Sequence, residues 1–130
     1  MTPKTAAVAV ALKWYRMAAE QGDADAQTDL GIMYDNGFGV PQDYAAALKW
    51  YRKAAEQGYA DAQHSLGDMY ANSYGVTQDY VQAHMWFNLS AAQGDETARK
   101  YRDNLAKEMT PADISKAQEM AREWMEKHQE

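Results

Sequence analysis

The chain has 130 residues, of which 19 are acidic and 13 basic, giving a formal net charge of -6, and 46% are hydrophobic. That length suits one domain, and an acidic balance with scattered cations disfavours a nucleic-acid partner, whose phosphates demand clustered Lys and Arg. The lack of any cysteine excludes disulfides, thiolate catalysis and cysteine-ligated metal.

The first apolar stretch, residues 6–12, is short and runs straight into Lys13 and Trp14. It reads as the opening of a helix over residues 5–21, not as a signal-peptide core. Asp23 and Asp25 sit where a second helix, residues 24–36, presents the positive end of its dipole. The loop Gly37-Phe38-Gly39-Val40 supplies glycines for positive φ, and Pro41 stops the helix from continuing. A third helix spans residues 43–57, with Ala46, Ala47, Trp50, Tyr51, Ala54 and Ala55 at helical spacing. Asp43 is its expected N-cap, and Gly58 suits the left-handed position after its end.

The fourth helix, residues 60–72, places Ala62, Leu66, Met69 and Tyr70 on one side, and the loop Ser73-Tyr74-Gly75-Val76 follows. A fifth covers residues 79–93 and a sixth about 96–108. The last, residues 111–127, has Thr110 as cap, Pro111 in the first helical position and Asp113 in the first turn. Its stripe of Ile114, Ala117, Ala121 and Trp124 is expected to lie against the preceding helices. No period-two run predicts a strand, and no run approaches the roughly 18 apolar residues of a membrane span. The expected fold is all-α, with seven helices.

Residues 9–44 align with 45–80 without a gap, leaving 26 identities and ten mismatches over 36 positions. Trp14, Trp50 and Trp86 mark the period, as do Gly22, Gly58 and Gly94. Such a repeat predicts stacked copies of one helix pair rather than a closed core. We label the tryptophan-bearing helix B and the other A. The third copy fades after Gly94: Arg102-Asp103 stands for Leu66-Gly67, and Leu105-Ala106 for Met69-Tyr70. Asp103 is expected to widen the helix packing there, and Arg102 cannot sit where Leu66 is buried. The expected organisation is a single repeat domain, residues 1–130, divided into repeats at 9–44 and 45–80, a degenerate repeat at 81–109 and a capping helix at 110–130.

Ala26-Gln27, Leu30-Gly31, Met33-Tyr34, Gly37-Phe38-Gly39-Val40, Asp43 and the run from Ala47 through Trp50 and Tyr51 to Gly58 together resemble the Sel-1-like repeat family, relatives of the tetratricopeptide repeats. The resemblance is strongest over residues 9–94. It implies a right-handed α/α solenoid of antiparallel helix pairs, with the A helices lining the concave side. It also implies adaptor or scaffold roles, in bacterial envelope, signalling and host-interaction systems and in eukaryotic membrane-associated degradation and cell-wall assembly complexes. The disulfides found within repeats of some secreted members cannot form here.

The mismatches between the two good copies bear on function. In helix A they are Thr28/His64, Asp29/Ser65, Ile32/Asp68 and Asp35/Ala71, an arc of roughly 120° at about 100° per residue. Ala26, Gln27, Leu30, Gly31, Met33 and Tyr34, unchanged, take the opposite side. The variable face is either merely solvated or a concave groove. In the latter case its contact residues are Thr28, Asp29, Ile32, Asp35, His64, Ser65 and Asp68, continued by Lys100, Tyr101, Asn104 and Lys107. Phe38 and Tyr74 at the loop tips form a second patch, or cover the ends of neighbouring helices. Helix B differs only at Val10/Ala46 and Met17/Lys53, so Trp14 and Trp50 read as inter-helix packing.

The expected function is a non-catalytic module binding a protein or peptide segment. The alternative is an architectural one: a piece of a longer array, or an end-to-end homodimer through the N-terminal helix, where Ala7, Val8 and Val10 lack a neighbour. A hydrolase has the least support. His64 and Ser65 are adjacent and point 100° apart on a helix, and His64, His84 and His128 share no metal-ligand spacing. Gly37-Phe38-Gly39 lacks the third glycine of a dinucleotide fingerprint. No cofactor is expected. The compartment stays open: cytoplasmic for the chain as it stands, periplasmic or secreted if a leader was removed.

Overall fold

The computed structural model describes residues 3–128, which form seven helices and no strand. These are α1 (Pro3–Glu20), α2 (Ala24–Asn36), α3 (Tyr44–Glu56), α4 (Ala60–Asn72), α5 (Tyr80–Ala92), α6 (Glu96–Ala106) and α7 (Pro111–Lys127). Every boundary lies within two residues of its expected place.

The helix starts follow from capping chemistry. The carboxylates of Asp23, Asp43, Asp79 and Asp95 accept from Ala26, Ala46, Gln82 and Ala98 amides at 3.0–3.1 Å, and Thr110 accepts from Asp113. Each bond satisfies an orphan N–H of the first turn. Helix α4 is the exception. Tyr59 holds its N-cap position without a side-chain bond there and instead donates its hydroxyl to Asp25 at 2.5 Å, joining the starts of α2 and α4. At the ends of α2 and α4 the chain turns through left-handed residues, Gly37 and Ser73.

Consecutive helices from α1 to α6 pack on one another, and one close contact recurs in each A–B pair. A Cβ placed on Gly31 would stand 2.6 Å from the Tyr51 ring, and one on Gly67 would stand 2.7 Å from the Phe87 ring. This contact explains a glycine in the middle of a helix, where it costs about 1 kcal/mol relative to alanine. Ala62 and Leu66 share a core cluster with Phe87, and Met69 shares one with Tyr51.

A buried glutamine ladder joins successive units. Gln27 Nε2 donates to the Ala19 carbonyl and Gln63 Nε2 to that of Ala55. Each glutamine oxygen then accepts from the next unit, Gln57 Nε2 to Gln27 and Gln93 Nε2 to Gln63, both at 2.9 Å. Gln63 has no exposed surface, yet both ends of its amide are paired, as burial of a polar group requires. The unchanged side of helix A is thus a packing and pairing surface.

The last pair departs from this plan. Asp103 occupies the glycine position, and Arg102 turns outward to Asn88 at 2.7 Å and to Asp103. Helix α7 packs on α5, burying Ala117 and Ala121 and setting Trp124 edge-on to Trp86 at 6.2 Å. At the other end the packing expected of Trp14 is not found. Trp50 and Trp86 are 9% and 6% exposed, whereas Trp14 is 62% exposed, because no described helix covers that side of α1. Val10 and Met17 are exposed beside it.

One buried group breaks the repeat's own chemistry. His84 stands where the earlier copies have Leu12 and Leu48, and its Nδ1 is buried without a hydrogen-bond partner. Burial, then the Arg102 charge, hold its pKa below the usual histidine value, with Asp103 opposing weakly. A folded-state pKa below the unfolded one contributes stability above about pH 6.5 that is lost as pH falls. His84→Leu is therefore expected to raise the unfolding free energy by about 1–3 kcal/mol and to weaken its decline below pH 6.5. Urea titrations at pH 7.5 and 5.5 check both; an unchanged acid decline would assign it to other groups.

Candidate partner-binding face

The expected contact residues divide into three groups in space. Thr28 is only 4% exposed and donates its hydroxyl to the Ala24 carbonyl, so it offers no surface. Here the mismatch pattern misled: a short side chain at the edge of the arc folds back on its own helix. Asp35 and Ser65 are half-buried. Tyr51 of α3 donates to Asp35 of α2 at 3.2 Å, and Ser65 of α4 lies near the same hydroxyl. Burial and Asp35 push the Tyr51 pKa up, which keeps its hydroxyl protonated as the donor.

His64 is the hub of the second group. Its Nδ1 lies 2.8 Å from Asp95 and its Nε2 lies 3.5 Å from Asp68, while its ring stands edge-on to Phe87 and Tyr101. Hydrogen bonding to Asp68 raises its pKa most, burial opposes, and Asp95 adds to the rise, giving a value of about 9. At neutral pH it is an imidazolium held between two carboxylates. Burial alone would raise the Asp95 pKa, but the Ala98 amide, His64 and Ser90 together bring it below the usual range. Ser90 Oγ sits 2.9 Å from the Asp95 carboxylate, not on the imidazole, so His64 is not placed to take its proton. This is a tie between α4 and the start of α6, with no hydroxyl nucleophile on the histidine.

The third group faces outward. Asp68, Tyr101 and Asn104 line a depression of about 400 Å³ between α4 and α6, floored by Phe87 and Leu105. Lys100 is exposed on α6, as is Lys107 just beyond it. Asp29 and Ile32 line another depression of about 400 Å³, between α1 and α2, whose remaining wall comes from Lys4, Ala7, Val8, Ala11, Tyr15, Met33 and Phe38. Ile32 is 43% exposed and Tyr101 44%. Burial, then the charges of Asp25 and Asp23, hold the Asp29 carboxyl above the usual carboxylate range. Among the described residues no group of three or more His, Asp or Glu is placed to hold a metal.

Sequence reasoning missed the part played by α1 and the floor residues Phe87 and Leu105. The available signal was Phe38 against Tyr74. Tyr74 stacks on Tyr44 at 5.0 Å and covers the start of α3, whereas Phe38 has no such ring partner among the described residues and lines the α1–α2 depression.

Stacked A–B pairs with a packed side and a variable side define an α/α solenoid repeat protein. The Sel1 repeat family model matches residues 8–23, 24–59, 60–95 and 104–127, and the chain belongs to that family. Its structure is similar to the crystal structure of c5321, a protective antigen present in uropathogenic Escherichia coli strains that displays an SLR fold. The TM-score is 0.87 and the identity 36%, over 90% of this chain and 25% of that one. It is also similar to a Sel1 repeat protein from Oxalobacter formigenes, with a TM-score of 0.70 and 39% identity over 72% of this chain and 39% of that one. The chain therefore spans about a quarter and two-fifths of their lengths. No curated protein matches it.

Proposed function

We propose that the chain is a non-catalytic module that binds a protein or peptide segment along the concave face of α2, α4 and α6. One observation carries this reading. The helix-A positions that differ between near-identical copies cluster on one face, and that face, the buried Thr28 apart, includes both depressions, while the unchanged Ala26, Gln27, Leu30, Gly31 and Met33 are buried. Stacking alone fixes the packed side, and the two depressions on the other side offer a partner's side chains a place to lodge. The contact set is Asp29, Ile32, Asp68, Lys100, Tyr101 and Asn104, with Asp35, His64 and Ser65 shaping the floor. Solenoids present extended faces of this kind, and a few anchors carry most of the binding energy.

The test replaces Asp29, Ile32, Asp68 and Tyr101 together by alanine and measures capture of partners from the source cell. Capture is expected to fall at least about tenfold, with helical circular dichroism unchanged, since about 1.4 kcal/mol of lost contact is a tenfold loss. Undiminished capture by a folded variant would place the partner elsewhere.

A further inference from the structure

The binding face differs in chemistry from one end to the other. At the α4–α6 end, Asp68 and Asn104 border the depression and the His64 imidazolium is already held by two carboxylates. At the α1–α2 end most of the wall is carbon, from Val8, Ala11, Ile32, Met33 and Phe38, with Lys4, Tyr15 and Asp29 as its polar members. Ile32 is the telling position, because α4 carries Asp68 at the equivalent place. An exposed isoleucine over an apolar hollow leaves carbon surface in water that a partner side chain would cover.

The rim beside this hollow is acidic. Asp29 lines it and also lines an adjoining depression with Asp23, Asp25, Trp14 and Tyr15. None of these three carboxylates takes part in an ion pair among the described residues. Asp23 caps α2 and Asp25 accepts from Tyr59, but Asp29 pairs with no cation among the described residues, Lys4 of the same hollow included. The apolar hollow and the acidic rim lie side by side, so a ligand matching both carries two features close together.

We propose that the α1–α2 end of the face is an anchor site for a peptide segment in which a large apolar side chain lies within one or two residues of a lysine or arginine. The apolar side chain fills the hollow over Val8, Ile32, Met33 and Phe38, and the cation sits at Asp29 with Asp25 behind it. This inference rests on the reading that the face binds a protein segment, and it names that segment's chemistry. Opposite charge at the rim fixes register and excludes acidic segments, and apolar burial supplies affinity.

The experiment pans a random linear-peptide display library on the intact chain and on Ile32→Asp, Asp29→Ser and Tyr101→Ala. The first two introduce residues that α4 already carries at the matching positions, so all are expected to keep their helical circular dichroism. Enriched peptides on the parent are expected to pair Leu, Ile, Met, Phe or Trp with a neighbouring Lys or Arg. A synthetic peptide of that consensus should bind Ile32→Asp and Asp29→Ser at least about tenfold more weakly, and its Lys→Glu form should lose as much on the parent chain. Peptides that lack the pattern, or that lose binding on Tyr101→Ala and not on Ile32→Asp, overturn the anchor site and leave the broader face intact. No enrichment over an unrelated helical control protein overturns both.

Discussion

Phe87→Ala is expected to lower the unfolding free energy by about 3–5 kcal/mol, the largest loss from any single substitution considered for this chain. The ring is 2% exposed and lies against Gly67 of the partner helix, which has no side chain to move into its place. Truncation removes the apolar burial and leaves a cavity besides. Gly67→Ala attacks the same contact from the other side. Its methyl would meet the ring at 2.7 Å, and overpacking of this kind costs about 1–3 kcal/mol, offset in part by about 1 kcal/mol of improved helix propensity. The two changes are expected to couple, since an alanine methyl at Gly67 partly occupies the space Phe87 vacates. Chemical denaturation of both single variants and the double variant measures this, with the double loss falling below the sum by about 0.5 kcal/mol or more. Additive losses would show that ring and glycine act separately.

Asp95→Ala is expected to cost about 2–4 kcal/mol, because one carboxylate serves as the α6 N-cap and also accepts from Ser90 and His64. A lost cap costs about 1 kcal/mol, and a charge-assisted bond about 1.5–3 kcal/mol. The same tie has a pH signature. The His64 pKa is raised to about 9 against an ordinary 6.5, so its contribution is complete below pH 6.5 and is lost as pH rises toward 9. In the parent chain stability should therefore decline between pH 6.5 and 9, and in Asp95→Asn the decline should be smaller and the His64 pKa lower. Denaturation across that range and imidazole NMR shifts read the two effects. A His64 pKa unmoved by Asp95→Asn would leave Asp68 as its sole support. Because the tie joins α4 to α6 under Tyr101, its loss should also loosen the proposed binding face.

The repeat made most of this legible in advance. Copies aligned without a gap can share only what both need, so Ala26, Leu30, Gly31 and Met33 announced a packed side before any contact was known. Caps and stops are local chemistry, which is why Asp43, Thr110, Pro111 and Gly58 placed helix ends to within two residues. Of the expected contact residues, Asp29, Ile32, Asp68, Tyr101 and Asn104 line depressions. The expectation failed at Thr28, whose hydroxyl finds its own helix carbonyl. Trp14 is exposed where Trp50 and Trp86 are buried, because no described helix covers that side of α1.

What the sequence determined alone was periodic: seven helices, their limits, the stacking side and the family. These depend on bonds and contacts within a residue's own turn or its own copy, which spacing encodes directly. What only the tertiary structure decided involves groups with no fixed separation along the chain. The His64 imidazolium draws on Asp95, 31 residues away, and Tyr51 on Asp35 across a helix seam. Helix α7 settled on α5, and α1 supplied the wall of a hollow beside Ile32. Charge and exposure at such places depend on distances through space, and those exist only once the helices have packed.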